Sequence, residues 1–157
     1  MSYTTERATL MASQLERLAT YNAHELAGQL PNLEFWLAEA AHALAVIDDY
    51  PARFVRLRDA QVRWVDAHGT RVMAGHCDHC GGRCELGPVK PQAPRRIPSA
   101  DLDATRRAVR DGAYHLLLRL LREGWSDEAR VRAGCDQVGT SIDVDDLDAI
   151  RRARAPA

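Results

Sequence analysis

The chain of 157 residues, 46% of them hydrophobic and 27% charged, has the composition of a globular protein and is long enough to bury one core. It contains no run of about 18 apolar residues, so the sequence predicts no membrane-spanning helix. The N-terminal segment carries Glu6, Arg7, Glu16 and Arg17 where a signal peptide needs an apolar stretch, so we expect a cytoplasmic protein.

The net charge of −1 is unevenly distributed along the chain. Residues 1–50 hold two basic and seven acidic residues, and residues 111–150 hold four and nine, so each segment carries −5. Residues 51–110 hold twelve basic and six acidic residues, a net +6. Blocks of this size often neutralise each other within a fold. We therefore interpret the basic middle as the complement of two acidic flanks, with a nucleic-acid-binding face as the alternative.

Helical periodicity dominates the chain before residue 70. Apolar residues at three- and four-residue steps predict an amphipathic helix over residues 5–28, which Pro31 interrupts. A second helix is predicted over 33–48, and Pro51 separates it from a third helix that ends at Gly69. The side chains predicted to face inward are Ala8, Met11, Leu15, Leu18, Leu26, Leu33, Trp36, Leu37, Ala40, Leu44, Ile47, Phe54, Leu57, Trp64 and Val65.

The pattern breaks over residues 70–98 and then returns. TRVMAG is compatible with a short strand, and ELGPVKPQAPRRIP, which holds four of the seven prolines, favours an extended connection. Ser99 is predicted to cap a long central helix that Gly124 ends, and Ser126 and Asp143 are predicted to cap two shorter helices. The apolar residues predicted to line the core here are Leu102, Val109, Ala113, Leu116, Leu117, Leu120, Leu121, Val131, Cys135 and Val138.

These elements predict an all-α fold, a bundle of about six helices. A small metal-binding knuckle and a proline-rich connection are inserted in its middle, at about residues 70–98. Each half of the chain is short for a core of its own, so we expect a single domain over residues 1–157.

The densest chemistry of the sequence is HCDHCGGRC, residues 76–84. Cys77 and Cys80 have the Cys-x-x-Cys spacing that grips one metal ion, and the glycines after Cys80 permit the tight turn that such a grip requires. Cys84 supplies a third thiol. Over these nine residues the stretch resembles the knuckle of zinc-ribbon proteins, although a ribbon's second Cys-x-x-Cys is absent. In a reducing compartment, zinc is the predicted occupant.

The sequence does not decide which residue is the fourth metal ligand. Cys135 is favoured because it is the one remaining thiol, although an inward-facing cysteine is also an ordinary small core residue. His68, His76 and His79 are the alternatives. An iron–sulfur cluster would use the same cysteines but ranks below zinc, since Cys-x₂-Cys-x₃-Cys is not a usual cluster spacing.

Catalytic metal sites find little support in the sequence. No histidine is followed two residues later by glutamate, as in the nucleobase deaminases, and His24-Glu25 lacks the second histidine of a metalloprotease. Glu39 and His42 have the i, i+3 spacing found in di-iron bundles, although only one such pair occurs. Further donors for a di-iron centre would have to come from His24, Glu25, Asp111 and His115.

We therefore predict a non-catalytic binding, adaptor or regulatory protein with an unknown protein partner, no membrane association and self-association left open. Nucleic-acid binding through residues 51–110 is the second hypothesis. A metalloenzyme, either di-iron or open-site zinc, or an iron–sulfur protein comes third.

Overall fold

The structure is a computed structural model that describes residues 3–68 and 95–155, with the backbone alone for residue 3 and residues 64–68. Throughout these residues the regular structure is helical and no strand occurs, which confirms the all-α class. A strand, a knuckle and a proline-rich connection are predicted for residues 70–98. Residues 70–94 of this segment lie outside the described residues. The helices are α1 (Tyr3–Thr20), α2 (Ala23–Gln29), α3 (Leu33–His68), α4 (Ser99–Glu123), α5 (Glu128–Gln137) and α6 (Val144–Arg154).

The first predicted helix is in fact two. The chain leaves helical geometry at Asn22, whose backbone is extended and whose side-chain oxygen accepts a hydrogen bond from the Glu25 amide at 2.8 Å. An asparagine in this position satisfies one of the unpaired donors of a helix start, and α2 therefore begins there. A 3₁₀ turn over Leu30–Asn32, with Pro31 inside it, then leads into α3.

The predicted break at Pro51 is wrong, because α3 continues through the proline. Proline removes one i to i−4 hydrogen bond and crowds the carbonyl of the preceding turn, which normally ends or kinks a helix. Here Ile47 and Tyr50 on the preceding turn are both buried. We attribute the persistence of the helix to their packing, because tertiary burial routinely overrides local propensity.

The chain divides into two compact units, Met1–Asp48 with Ile97–Ala157 and Asp49–Arg96. In the first unit, α4 packs along α1. Gly112 makes this approach close, since a Cβ added there would lie 3.0 Å from Leu15 Cβ and 3.1 Å from the Ala12 carbonyl oxygen. The apolar face predicted for the central helix is buried at every position, which confirms α4 as the core of this unit.

Helices α5 and α6 also pack against α4. They enclose a second core cluster made of Leu117, Leu118, Leu121, Val131, Cys135, Ile142, Leu147 and Ile150. The predicted cap Asp143 is confirmed, since its carboxylate accepts from the amides of Asp145 and Asp146. Two other predicted caps are wrong. Asp127 caps α5 in place of Ser126, and Ser99 is the first residue of α4 rather than its cap.

Three arginines donate to carbonyls at the C-terminal ends of helices in this unit. Arg119 bonds the Ala19 carbonyl of α1 at 3.1 Å, Arg154 bonds Leu121 of α4 at 3.0 Å, and Arg110 bonds Val138 after α5 at 3.2 Å. The last carbonyls of a helix lack intrahelical donors and carry partial negative charge, so a guanidinium is a favourable partner.

The described part of the second unit is the continuation of α3 and the residues around Arg95. Tyr50 is buried, and its hydroxyl donates to the carbonyl oxygen of Arg95 at 3.2 Å. The prediction that Leu57 faces inward is wrong, since half of its surface, 50%, is exposed. Phe54 is partly buried, in agreement with the predicted direction of its side chain.

Candidate functional site

The three cysteines of the predicted knuckle, Cys77, Cys80 and Cys84, lie outside the described residues, as do His76 and His79. His68 ends α3, and only its backbone is described. The metal site predicted from the sequence therefore stays a prediction. Of the four predicted metal ligands, the described part of the chain contains only Cys135.

Cys135 lies on α5 inside the second core cluster, with 1% of its surface exposed. Burial raises the pKa of its thiol above the ordinary value, and the nearby Asp136 carboxylate adds to the increase. A metal ligand must be a thiolate, which apolar surroundings disfavour. These surroundings favour the core role that the sequence left open, while ligation by Cys135 stays a prediction that metal analysis of a variant can test.

Two of the donors named for a di-iron centre, Glu39 and His115, are engaged in separate pairs. Glu39 on α3 accepts from Arg7 on α1 at 3.2 Å, and His115 Nδ1 on α4 lies 2.6 Å from Glu16 Oε1 on α1. Among the described residues, no group of three or more His, Cys, Asp or Glu side chains is arranged to hold a metal ion. The isolated Glu39 and His42 pair is therefore not joined there by the further carboxylates that a di-iron centre requires.

The acidic stretch DVDDLD, residues 143–148, forms the start of α6, and the hydroxyl of Tyr114 bonds to it. The Tyr114 hydroxyl donates to Asp146 Oδ2 at 2.7 Å and accepts from the Asp143 amide at 3.0 Å. Burial, together with the hydrogen bond to Asp146, raises the pKa of Tyr114 to about 12. The sequence predicted the cap but gave no sign of this tyrosine, which lies twenty-nine residues earlier in the chain.

A cleft of about 610 Å³ lies where the end of α4, the start of α5 and the end of α6 meet. Its polar groups bond one another. Arg151 donates to both carboxylate oxygens of Glu128 at 2.7 Å, and Arg154 bonds the Leu121 carbonyl. The bond to Arg151 lowers the pKa of Glu128. Both guanidinium groups thus have protein partners: Arg151 joins α6 to α5, and Arg154 joins α6 to α4. The arrangement connects helices rather than presenting these donors to a ligand.

Three described arginines of the basic middle segment, Arg56, Arg58 and Arg106, form ion pairs. Arg106 bonds both Asp48, at 2.8 Å, and Asp103, at 2.6 Å, while Arg56 bonds Asp49 at 2.9 Å. These contacts agree with the interpretation that basic residues of this segment balance acidic ones within the fold. In each of these ion pairs at least one of the two side chains is exposed. An ion pair at an exposed position contributes little stability.

Comparison with protein families, with curated proteins and with solved structures gave no match for this chain. No described helix has the length and apolar content needed to cross a bilayer.

Proposed function

We propose that this chain is a small zinc-knuckle helical protein that acts as a non-catalytic binding, adaptor or regulatory module in the cytoplasm. Cys77, Cys80 and Cys84 hold one zinc ion in this proposal. The observation that carries it is the sequence itself, in which three of the four cysteines fall within residues 77–84, with two glycines following the Cys-x-x-Cys pair.

Two features of the described residues support the non-catalytic part of the proposal. The first unit has an apolar core, and two of the groups that could do chemistry there, Glu39 and His115, are engaged in interhelical contacts. The cleft between α4, α5 and α6 is lined by groups that bond each other. Both features are typical of a scaffold.

The fourth zinc ligand is proposed from Cys135, His68, His76 and His79. The raised pKa and burial of Cys135 weigh against the thiolate that zinc requires, so the histidines gain support. Replacing Cys135 by alanine separates the cases. Unchanged zinc content would exclude Cys135 as a ligand, and lost zinc in a variant that keeps its helices would identify it.

Elemental analysis of protein purified without added metal tests the proposal. We expect a colourless protein with about one zinc per chain, as a closed structural site requires. Cys77→Ser and Cys80→Ser should both lose the metal. Brown protein with iron and labile sulfide, or a folded protein that carries no metal, would contradict the proposal.

Nucleic-acid binding is the second candidate, and one observation favours it. Arg53, Arg56 and Arg63 are exposed at spacings of three and seven residues, which places them on one face of α3. A phosphate-binding face would lose affinity steeply with salt, because each neutralised phosphate releases counterions.

We expect no such binding near physiological salt, because few aromatic residues accompany the arginines to stack on bases. Binding to mixed DNA or RNA is measured across a salt series, with an Arg95→Ala and Arg96→Ala double variant beside the zinc-loaded parent. Micromolar or tighter binding that weakens with salt, and a smaller salt slope in the variant, would make nucleic acid the partner.

A further inference from the structure

We draw no further inference here: the strongest candidate, the cleft between the end of α4, the start of α5 and the end of α6, carries nothing because each of its three arginines already bonds a protein acceptor and nothing in the described residues shows what would occupy it.

Discussion

The two halves of helix α3 differ in what they bury. Over residues 33–48 the helix buries a side chain at nearly every turn, with Leu33, Ala40, Leu44 and Ile47 all inside the first unit. Over residues 51–63 no residue is buried, and Val55, Leu57 and Val62 are among the most exposed large apolar side chains of the described residues. The same regular helix thus serves as core in one unit and as accessible surface in the other.

The comparison separates positions that stabilise the fold from exposed positions that contribute little to stability. Most helical stability comes from packing an apolar face, so the buried side chains of the first unit should contribute most to the stability of the described helices. Exposed apolar residues on the second half contribute little to stability unless something covers them, and they are where binding is expected. Substitutions should therefore have large effects on unfolding in the first unit and small ones on residues 51–63.

The largest effect is expected at Leu117, which belongs to the second core cluster and is almost fully buried. Leu117→Ala should lower the free energy of unfolding by about 2–4 kcal/mol, since it removes buried methyl groups and leaves a cavity. Leu10→Ala, at a side chain that is 67% exposed, is the matched control and should stay within about 0.5 kcal/mol of the parent. Chemical denaturation measures both, and equal midpoints would show that the face of α4 is not the core.

An intermediate effect is expected at Gly112, where α1 and α4 approach closely. Alanine there would gain about 1 kcal/mol of helix propensity but meets Leu15 Cβ at 3.0 Å and the Ala12 carbonyl at 3.1 Å. Overpacking costs about 1–3 kcal/mol, so we expect net destabilisation. Gly28→Ala is the control, since a Cβ there has no atom within 4 Å, and it should stabilise the protein. A Gly112→Ala variant as stable as Gly28→Ala would contradict the close helix contact.

A smaller effect is expected at Tyr114. Removing its hydroxyl in Tyr114→Phe should cost about 0.5–1.5 kcal/mol, the net value of a hydrogen bond of this kind. The folded-state pKa of about 12 exceeds the ordinary value of 10.0, so the hydroxyl stabilises the fold below pH 10 and this contribution is lost as the pH rises to about 12. Unfolding measured from pH 8 to pH 12 should show a steeper fall in the parent than in the variant. Parallel curves would show that Tyr114 does not hold the start of α6.

Much of the fold could be predicted from local signals. The cap Asp143 and the helix end at Gly124 act through residues within a turn or two of themselves. Every residue of α4 that the apolar periodicity assigned to the core is buried, and the periodicity missed only Gly112 and Leu118. A wrong prediction arose where a local signal was overridden by packing between distant residues. Pro51 signals a local break, but the packing of Ile47 and Tyr50, which no local rule contains, sustains the helix.

The candidate site was harder to predict. The spacing of Cys77, Cys80 and Cys84 indicates a shared ion because the three lie close together in the chain. A fourth ligand can come from any distance, so Cys135 could be named only as a candidate. The sequence already predicted that Cys135 faces the core, and the structure adds which side chains surround it. The bond from Tyr50 to Arg95, forty-five residues apart, was beyond sequence reasoning for the same reason.

Amide hydrogen exchange with and without a zinc chelator tests the central proposal most directly, namely that Cys77, Cys80 and Cys84 hold a zinc ion, because the unit that contains these cysteines, Asp49–Arg96, should then be the one that loses structure. After chelation verified by elemental analysis, amides of residues 49–68 should exchange at least about tenfold faster, because a lost metal opens the structure that it held. Amides at the centre of α4, around Leu116, should keep their protection. Unchanged exchange over residues 49–68 after zinc has been removed, or equal loss of protection in α4, would contradict the account.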